Sequence, residues 1–328
     1  MLLGLPAMAV LVVSRGGGGA GAAGWAARLR AAAPGAEVRA WGAPGEAPPP
    51  LEDVVHAVVW RPPPGLLARR SLPALRGVQS LGAGVEHVGA LPAGVPLARI
   101  VDPAMSQRMA SFVVCNALNH IRCTEDYRSA QREGRWAGHL AAERERDVGD
   151  VSAGVMGTGE MGGATAEMLR AVGFRVRTWS RTGRRGARAG CKAFVGREEL
   201  CEFLGGSDIL VNLLPLTPET SGLVNAGFLT HLPPGAFFIN AARGGHVVDE
   251  DLLQALDSGR LGGALLDVFH EEPLPEAHPF WSHERVLVAP HVAAVTSTET
   301  ALAQIVENMR RTLEGRPMLN LVDVAAGY

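Results

Sequence analysis

Residues 155–181 read VMGTGEMGGATAEMLRAVGFRVRTWSR. Gly157, Gly159 and Gly162 fall in the spacing G-x-G-x-x-G, after an apolar run ending Gly154-Val155-Met156 that reads as a strand. From Glu160 to Val172 the residues Met161, Ala164, Met168, Leu169 and Val172 recur at helical spacing. Gly173 reads as the helix stop, and Phe174 to Trp179 as a second strand. In that context each glycine has a task. The first permits a tight turn, the second lets a pyrophosphate approach the backbone, and the third lets helix and strand pack closely. The helix N-terminus then faces the phosphates. Without the strand–helix–strand context the same spacing would fit an unliganded glycine-rich turn equally well. Gly157, Thr158, Gly159, Glu160, Met161 and Gly162 are the candidate phosphate-loop residues.

The end of the second strand bears on which dinucleotide binds. An NAD site commonly carries an acid about 20 residues on, which takes the ribose 2′-hydroxyl. Here that place reads Trp179-Ser180-Arg181-Thr182, with Arg184 and Arg185 close behind and no carboxylate. A hydroxyl and guanidinium forks suit a 2′-phosphate. NADP(H) is therefore the favoured cofactor, with NAD(H) the alternative, and Ser180 and Arg181 are the candidate readers.

Composition bounds the rest. The chain has 328 residues, enough for two domains with sizeable cores; 47% are apolar and the net charge is −2. No basic excess points to nucleic acid. Lys192 is the only lysine, so 30 of the 31 basic residues are arginine. A Schiff-base mechanism would have to use that residue, and a P-loop is excluded because no Gly-Lys-Ser/Thr occurs. The cysteines, Cys115, Cys123, Cys191 and Cys201, form no C-x-x-C and have no histidine at zinc spacing, so no metal site is expected. Free thiols in a reducing cytoplasm are the expectation. The apolar start, Met1 to Val13, lacks a positive leading region and reads as a buried first strand rather than a signal segment. No segment offers the roughly 20 uninterrupted apolar residues of a membrane span.

Along the chain, strands are expected at 8–13, 38–41, 54–60 and 78–81, with a helix over 25–33, which makes a small parallel α/β domain. Glycine- and proline-rich stretches at 16–19 and 43–50 have no functional reading. A long helix is expected over 104–122 and a second over 126–136. After the dinucleotide unit, strands are expected at 208–214, 236–240, 263–267 and 286–289, helices at 250–258 and 297–313.

Polar clusters follow three of these strands, where open α/β sheets bind ligands. They are Asn240-Ala-Ala-Arg243-Gly244-Gly245, Asp267-Val-Phe-His-Glu-Glu272, and Pro290-His291. An arginine in a glycine-flanked turn can present its fork to a carboxylate or carbonyl oxygen. A histidine held by a carboxylate keeps one orientation and can donate a proton near neutral pH. Any one of these residues alone reads as surface arginine, solvated acid or loop histidine. Their joint position downstream of a dinucleotide unit favours acid/base work beside a cofactor.

At this point the sequence resembles the D-isomer-specific 2-hydroxyacid dehydrogenases over nearly its whole length. The resemblance is carried by VMGTGEMGG (155–163), VNLLPLTPETSGLVN (211–225), LPPGAFFINAARGGHVVDEDLLQALDSGRLGGALLDVFHEEPLP (232–275) and APHVAAVT (289–296). Val59-Trp60, the run Leu81 to Glu86, and His278-Pro279-Phe280-Trp281 look most like the glyoxylate/hydroxypyruvate reductase A branch. The long helix departs from the family pattern at Met109-Ala-Ser111-Phe112.

The resemblance implies two Rossmann-like or flavodoxin-like parallel-sheet domains with an active-site cleft between them. It places a substrate-binding domain at 1–103, completed by 291–328, and an NAD(P)-binding Rossmann domain at 104–290 that forms a homodimer through its long helix. Arg243 would bind and polarise the 2-keto acid, His291 would donate the proton, and Glu272 would pair with His291. Asp267 would hydrogen-bond the nicotinamide carboxamide. The Ala83 and Gly84 amides would hold the substrate carboxylate and Trp60 would wall the pocket. Leu214, Pro215, Thr220 and Ala241 would complete the cofactor contacts with Arg243 and His291. The implied activity is NADPH-preferring reduction of glyoxylate or hydroxypyruvate to the 2-hydroxy acid. The alternatives are a phosphoglycerate or larger 2-keto acid dehydrogenase, and a dinucleotide-sensing corepressor or scaffold of the same fold.

Overall fold

The first strand, β1 (Met8–Ser14), is buried from Met8 to Val13, as a parallel sheet covered on both faces requires. The computed structural model to which it belongs describes residues 8–15, 21–42, 45–143, 146–183 and 190–323. The expected glycine-rich loop at 16–19, part of the proline-rich stretch, and Arg184 and Arg185 lie outside the described residues. The chain divides into two units, Met1–Asp102 with Thr296–Tyr328, and Pro103–Val295. The second boundary falls at 295/296 rather than 290/291, so His291 sits in the second unit with the strand it follows.

In the first unit β1 is followed by α1 (Gly21–Ala32), β2 (Ala36–Trp41), β3 (Val54–Trp60), β4 (Gly77–Ser80) and β5 (Leu97–Ala98). The sheet order is β2-β1-β3-β4-β5, all parallel, which is the flavodoxin-like order with its switch point between β1 and β3. The C-terminal helix Thr298–Leu313 covers one face through Ala301, Ile305 and Met309, which pack with Val10, Val12 and Leu29. It begins at Ser297, whose hydroxyl accepts the Thr300 N–H. Buried Asn308 ties it to β4, donating to Gln79 Oε1 at 2.7 Å.

In the second unit come α2 (Pro103–Ile121), α3 (Thr124–Arg132), α4 (Leu140–Glu143), β6 (Ser152–Met156), α5 (Glu160–Val172), β7 (Arg175–Ser180) and β8 (Lys192–Val195). There follow α6 (Leu200–Gly205), β9 (Ile209–Asn212), α7 (Ala226–Leu229), β10 (Ala236–Asn240), α8 (Asp249–Asp257), β11 (Leu261–Leu266) and β12 (Val286–Val288). The sheet order β12-β11-β10-β9-β6-β7-β8 is the doubly wound dinucleotide-binding order extended by a seventh strand. Its switch point lies between β6 and β9. α2 buries Met109, Val113 and Ala117 and packs on α5, while Phe203, Phe238 and Leu256 fill the other face.

The sequence reading missed β5, α4, β8, α6 and α7. Each is too short to show a period, and the edge strand β8 buries only Phe194. The strand expected at 208–214 ends at Asn212, because the chain leaves the sheet there to form a loop beside the glycine turn.

Candidate active site

The glycine turn sits at the switch point, between the ends of β6 and β9. Gly157 has φ 95° and donates its N–H to Trp179 O at 2.8 Å. A Cβ there would stand 2.7 Å from the Leu213 carbonyl oxygen, so the turn needs glycine for both conformation and space. A Cβ on Gly162 would overlap the Gly157 carbonyl oxygen. Gly159 is different: nothing lies within 4 Å of a Cβ built on it, and it caps α5 without any side-chain acceptor. The first and third glycines are therefore closed by protein, whereas the second opens outward beside uncapped helix N–H groups. That arrangement fits a pyrophosphate. Thr158 and Met161 are half-buried at its edge and Glu160 is exposed.

At the end of β7 the Ser180 hydroxyl accepts the Gly183 N–H at 3.2 Å. Arg181 Nη1 lies 3.6 Å from Glu219 Oε2. The expectation of a carboxylate-free end therefore holds for the β7 strand but not for its surroundings, because the loop after β9 brings Glu219 across. Leu214, Pro215 and Thr220 lie in that same loop. It is closed on itself: the Thr220 hydroxyl donates to Pro215 O at 2.8 Å and accepts the Thr217 N–H at 2.8 Å.

The Arg243 turn is held from beneath. Asn212 and Asn240 are register partners at the ends of β9 and β10, both fully buried, and Asn212 Nδ2 donates to Asn240 Oδ1 at 3.1 Å. Asn240 Nδ2 in turn donates to Arg243 O at 3.0 Å. Buried His246 stands between two carbonyls, with Nδ1 3.0 Å from Arg243 O and Nε2 3.2 Å from Pro215 O. It thus links the Arg243 turn to the cofactor-side loop. Ala241 is buried in the same turn. A Cβ on Gly244 would overlap the backbone of Phe269 and His270, so the Arg243 turn lies directly against the loop carrying Glu272.

Glu272 has both oxygens engaged. Oε1 accepts the Phe269 N–H at 3.1 Å, and Oε2 accepts from His291 Nδ1 at 2.9 Å. Because a carboxylate only accepts, His291 carries its proton on Nδ1 toward Glu272, which leaves Nε2 for another partner. The imidazole is about one-third exposed, at 36%. His291 has φ 54°, an uncommon conformation for a residue with a side chain. Asp267 explains how the turn is held: its two oxygens accept the N–H groups of Val292 at 2.7 Å and Ala293 at 3.0 Å. Burial raises the Asp267 carboxyl above its ordinary range, and those two N–H bonds oppose the rise. The residue expected to touch the cofactor thus also anchors the His291 turn.

In the first unit Trp60 stands at the end of β3, at that sheet's switch point, where Arg15 N donates to Trp60 O at 3.1 Å. A Cβ on Gly82 would be 2.7 Å from the indole. The following turn is braced by the Ser80 hydroxyl, which donates to Gly84 O at 2.9 Å and accepts the Gly82 N–H at 3.2 Å. The N–H groups of Ala83 and Gly84 donate to no described residue.

The three polar clusters of the second unit therefore meet: Gly244 seats the Arg243 turn on the Glu272 loop, and Glu272 grips His291. Sequence reading missed Asn212, His246 and Glu219. Asn212 had one usable signal, a polar residue ending an apolar strand; the other two had none in local pattern. Among the described residues no group of three or more His, Cys, Asp or Glu is placed to hold a metal ion, and no helix is long and apolar enough to cross a membrane.

Comparison with known proteins agrees with this geometry. The sequence model of "D-isomer specific 2-hydroxyacid dehydrogenase, NAD binding domain" matches residues 114–293. Glyoxylate/hydroxypyruvate reductase A of Serratia proteamaculans is 42% identical over 312 residues, covering 93% of this chain and 96% of that protein. Among solved structures, a D-isomer specific 2-hydroxyacid dehydrogenase from Xanthobacter autotrophicus Py2, in complex with NADPH and MES, is 45% identical. It superposes with a TM-score of 0.86 over 97% of this chain and 99% of that one. The NADPH-dependent glyoxylate/hydroxypyruvate reductase of Sinorhizobium meliloti, in complex with NADP and sulfate, is 36% identical. Its TM-score is 0.85, with 98% of this chain and 100% of that one covered.

Proposed function

This chain belongs to the D-isomer specific 2-hydroxyacid dehydrogenase family, and we propose that it is an NADPH-preferring reductase of glyoxylate and hydroxypyruvate. The observation that carries the reaction is the 2.9 Å bond from His291 Nδ1 to Glu272. It fixes the ring, and in the imidazolium form Nε2 carries the second proton, the one donated to a carbonyl oxygen. Arg243, seated against the same loop, binds the 2-keto acid and stabilises the charge that develops on that oxygen. A reduced nicotinamide, when bound, supplies the hydride to C2. Asp267 holds the His291 turn and takes the carboxamide.

Gly157, Gly159 and Gly162 form the pyrophosphate cradle. Ser180 and Arg181 meet the 2′-phosphate, and Arg181 exchanges Glu219 for the phosphate. Thr158, Glu160, Met161, Leu214, Pro215, Thr220 and Ala241 line the cofactor path. In the first unit Trp60 walls the substrate and the Ala83 and Gly84 amides hold its carboxylate. The names of the relatives in Serratia and Sinorhizobium support the choice of substrate and of NADPH. We place the enzyme in the cytoplasm as a homodimer built on α2. Trp136, 97% exposed just beyond α3, and the exposed Ser111 and Cys115 of α2 support a covered face there.

The test is reduction of both keto acids with NADPH and NADH in parallel, alongside Arg181→Asp. Turnover with NADPH, and a swing toward NADH in the variant, is expected. A wild-type preference for NADH would overturn the 2′-phosphate site, and no turnover with either keto acid would overturn the substrate reading.

A further inference from the structure

The turn after β4 carries a polar side chain that none of the roles above uses. His87 lies three residues past Gly84, and its side chain is only 8% exposed. Both ring nitrogens are buried without a hydrogen-bond partner among the described residues. Glu86 of the same turn has Oε1 4.0 Å from Nδ1, beyond hydrogen-bond reach. The ring lies on Trp60, with centroids 4.4 Å apart and planes tilted by 50°.

Both ends of the turn therefore touch one indole. Gly82 approaches it so closely that a Cβ would stand 2.7 Å from Cζ3, and His87 covers it from the other end of the turn. Between those contacts lie the Ala83 and Gly84 N–H groups, which donate to no described residue. The turn is otherwise internally satisfied: Ser80 braces Gly84 and Gly82, Val88 N donates to Val85 O, and Ile100 N donates to Gly82 O. A buried imidazole with neither nitrogen paired is costly unless a ligand pairs it. A phenylalanine would cover the same indole at no such cost.

We propose that His87 is a specificity-determining residue that reads the hydroxyl of hydroxypyruvate. One ring nitrogen meets the hydroxyl: a neutral imidazole presents either an N–H donor or an acceptor nitrogen there, and an alcohol can match either. Glyoxylate has hydrogen where hydroxypyruvate has a hydroxymethyl group, so it offers that nitrogen no partner. The inference rests on the assignment of Trp60, Ala83 and Gly84 to substrate in the preceding section.

The experiment compares wild type, His87→Phe and His87→Gln on both keto acids with NADPH, with melting temperature as the check on folding. His87→Phe keeps a ring on Trp60 and removes both nitrogens, whereas His87→Gln restores a donor and an acceptor. The expected result is a fall of about tenfold in the hydroxypyruvate-to-glyoxylate ratio of kcat/KM for His87→Phe. Glyoxylate kcat/KM stays within about threefold, and His87→Gln recovers part of the ratio. An equal fall on both substrates would make His87 a packing residue and overturn the proposal, as would an unchanged ratio. Wild-type inactivity on both keto acids would instead overturn the substrate reading, and this inference with it.

Discussion

Gly244→Ala tests the contact that assembles the acid/base site. A Cβ there overlaps the carbonyl carbon and oxygen of Phe269 and the nitrogen of His270. All three are main-chain atoms, so no side chain can swing aside. Restoring ordinary contact, which begins at 3.4 Å, requires the Arg243 turn and the Glu272 loop to part by more than about 1 Å. Overpacking of this kind costs about 1–3 kcal/mol of stability, or about 2–4 °C in melting temperature for each kcal/mol in a unit of this size. The catalytic effect is larger, because a 1 Å displacement of Arg243 relative to Glu272 and His291 costs roughly 100-fold in kcat. NADPH affinity falls less than kcat, since the cradle at Gly157, Gly159 and Gly162 lies on another loop and only the Ala241–Arg243 part of the cofactor path shifts. Steady-state kinetics on glyoxylate, a fluorescence titration with NADPH and a thermal melt read the three quantities. The neighbouring Gly245→Ala is the control: its Cβ would meet the Leu216 side chain at 3.1 Å, and that side chain can rotate away. Gly244→Ala with wild-type kcat, or with a loss no larger than that of Gly245→Ala, would refute the reasoning.

Acid should loosen the first unit through His56, which is fully buried in β3 with its pKa lowered to about 3 by burial. Its Nδ1 donates to the Thr312 hydroxyl at 3.1 Å and Nε2 has no partner, so the folded state holds it neutral. The unfolded chain binds the proton near pH 6.5, so stability is intact above that and falls with pH toward about 3. The loss is about 2 kcal/mol by pH 5. Hydrogen exchange of β3 peptides between pH 7 and 5 should show this slope, and His56→Gln should flatten it; an unchanged slope would point to other groups. Asp267→Asn keeps one acceptor for the Val292 and Ala293 N–H groups and loses the other, at a cost of about 1–3 kcal/mol. It should lower kcat more than it weakens NADPH binding, and equal losses in both would argue against the anchoring role. Gly162→Ala drives a Cβ into the Gly157 carbonyl and should weaken NADPH at least about tenfold at little cost to the Arg243 site. A variant with wild-type NADPH affinity would show that the cradle yields.

The main parallel strands, the glycine cradle and the three polar clusters were legible in the sequence, for a common physical reason. A parallel α/β sheet writes itself into sequence as apolar runs, and its ligand residues follow the strand ends directly. Each of Arg243, Glu272 and His291 could be located because each strand ahead of it was. The short elements β5, α4, β8, α6 and α7 escaped because each is too short to impose a pattern. His246 and Glu219 escaped because their meaning lies in what they face: a carbonyl 31 residues away for one, and Arg181 for the other.

By itself, then, the order of residues determined two parallel-sheet units, a dinucleotide loop and the chemical types available at the sheet rim. Those follow from local periodicity and from what glycine alone can do at a tight turn. Only the tertiary structure decided that the Arg243 turn rests on the Glu272 loop through Gly244, that Glu272 grips His291, and that Asp267 holds the strained His291 turn. It also decided that a carboxylate waits beside Arg181 and that an unpaired imidazole lies against Trp60. These are contacts between residues far apart in sequence, set by close packing of loops. A chain read one residue after another carries no direct signal of which loops will touch.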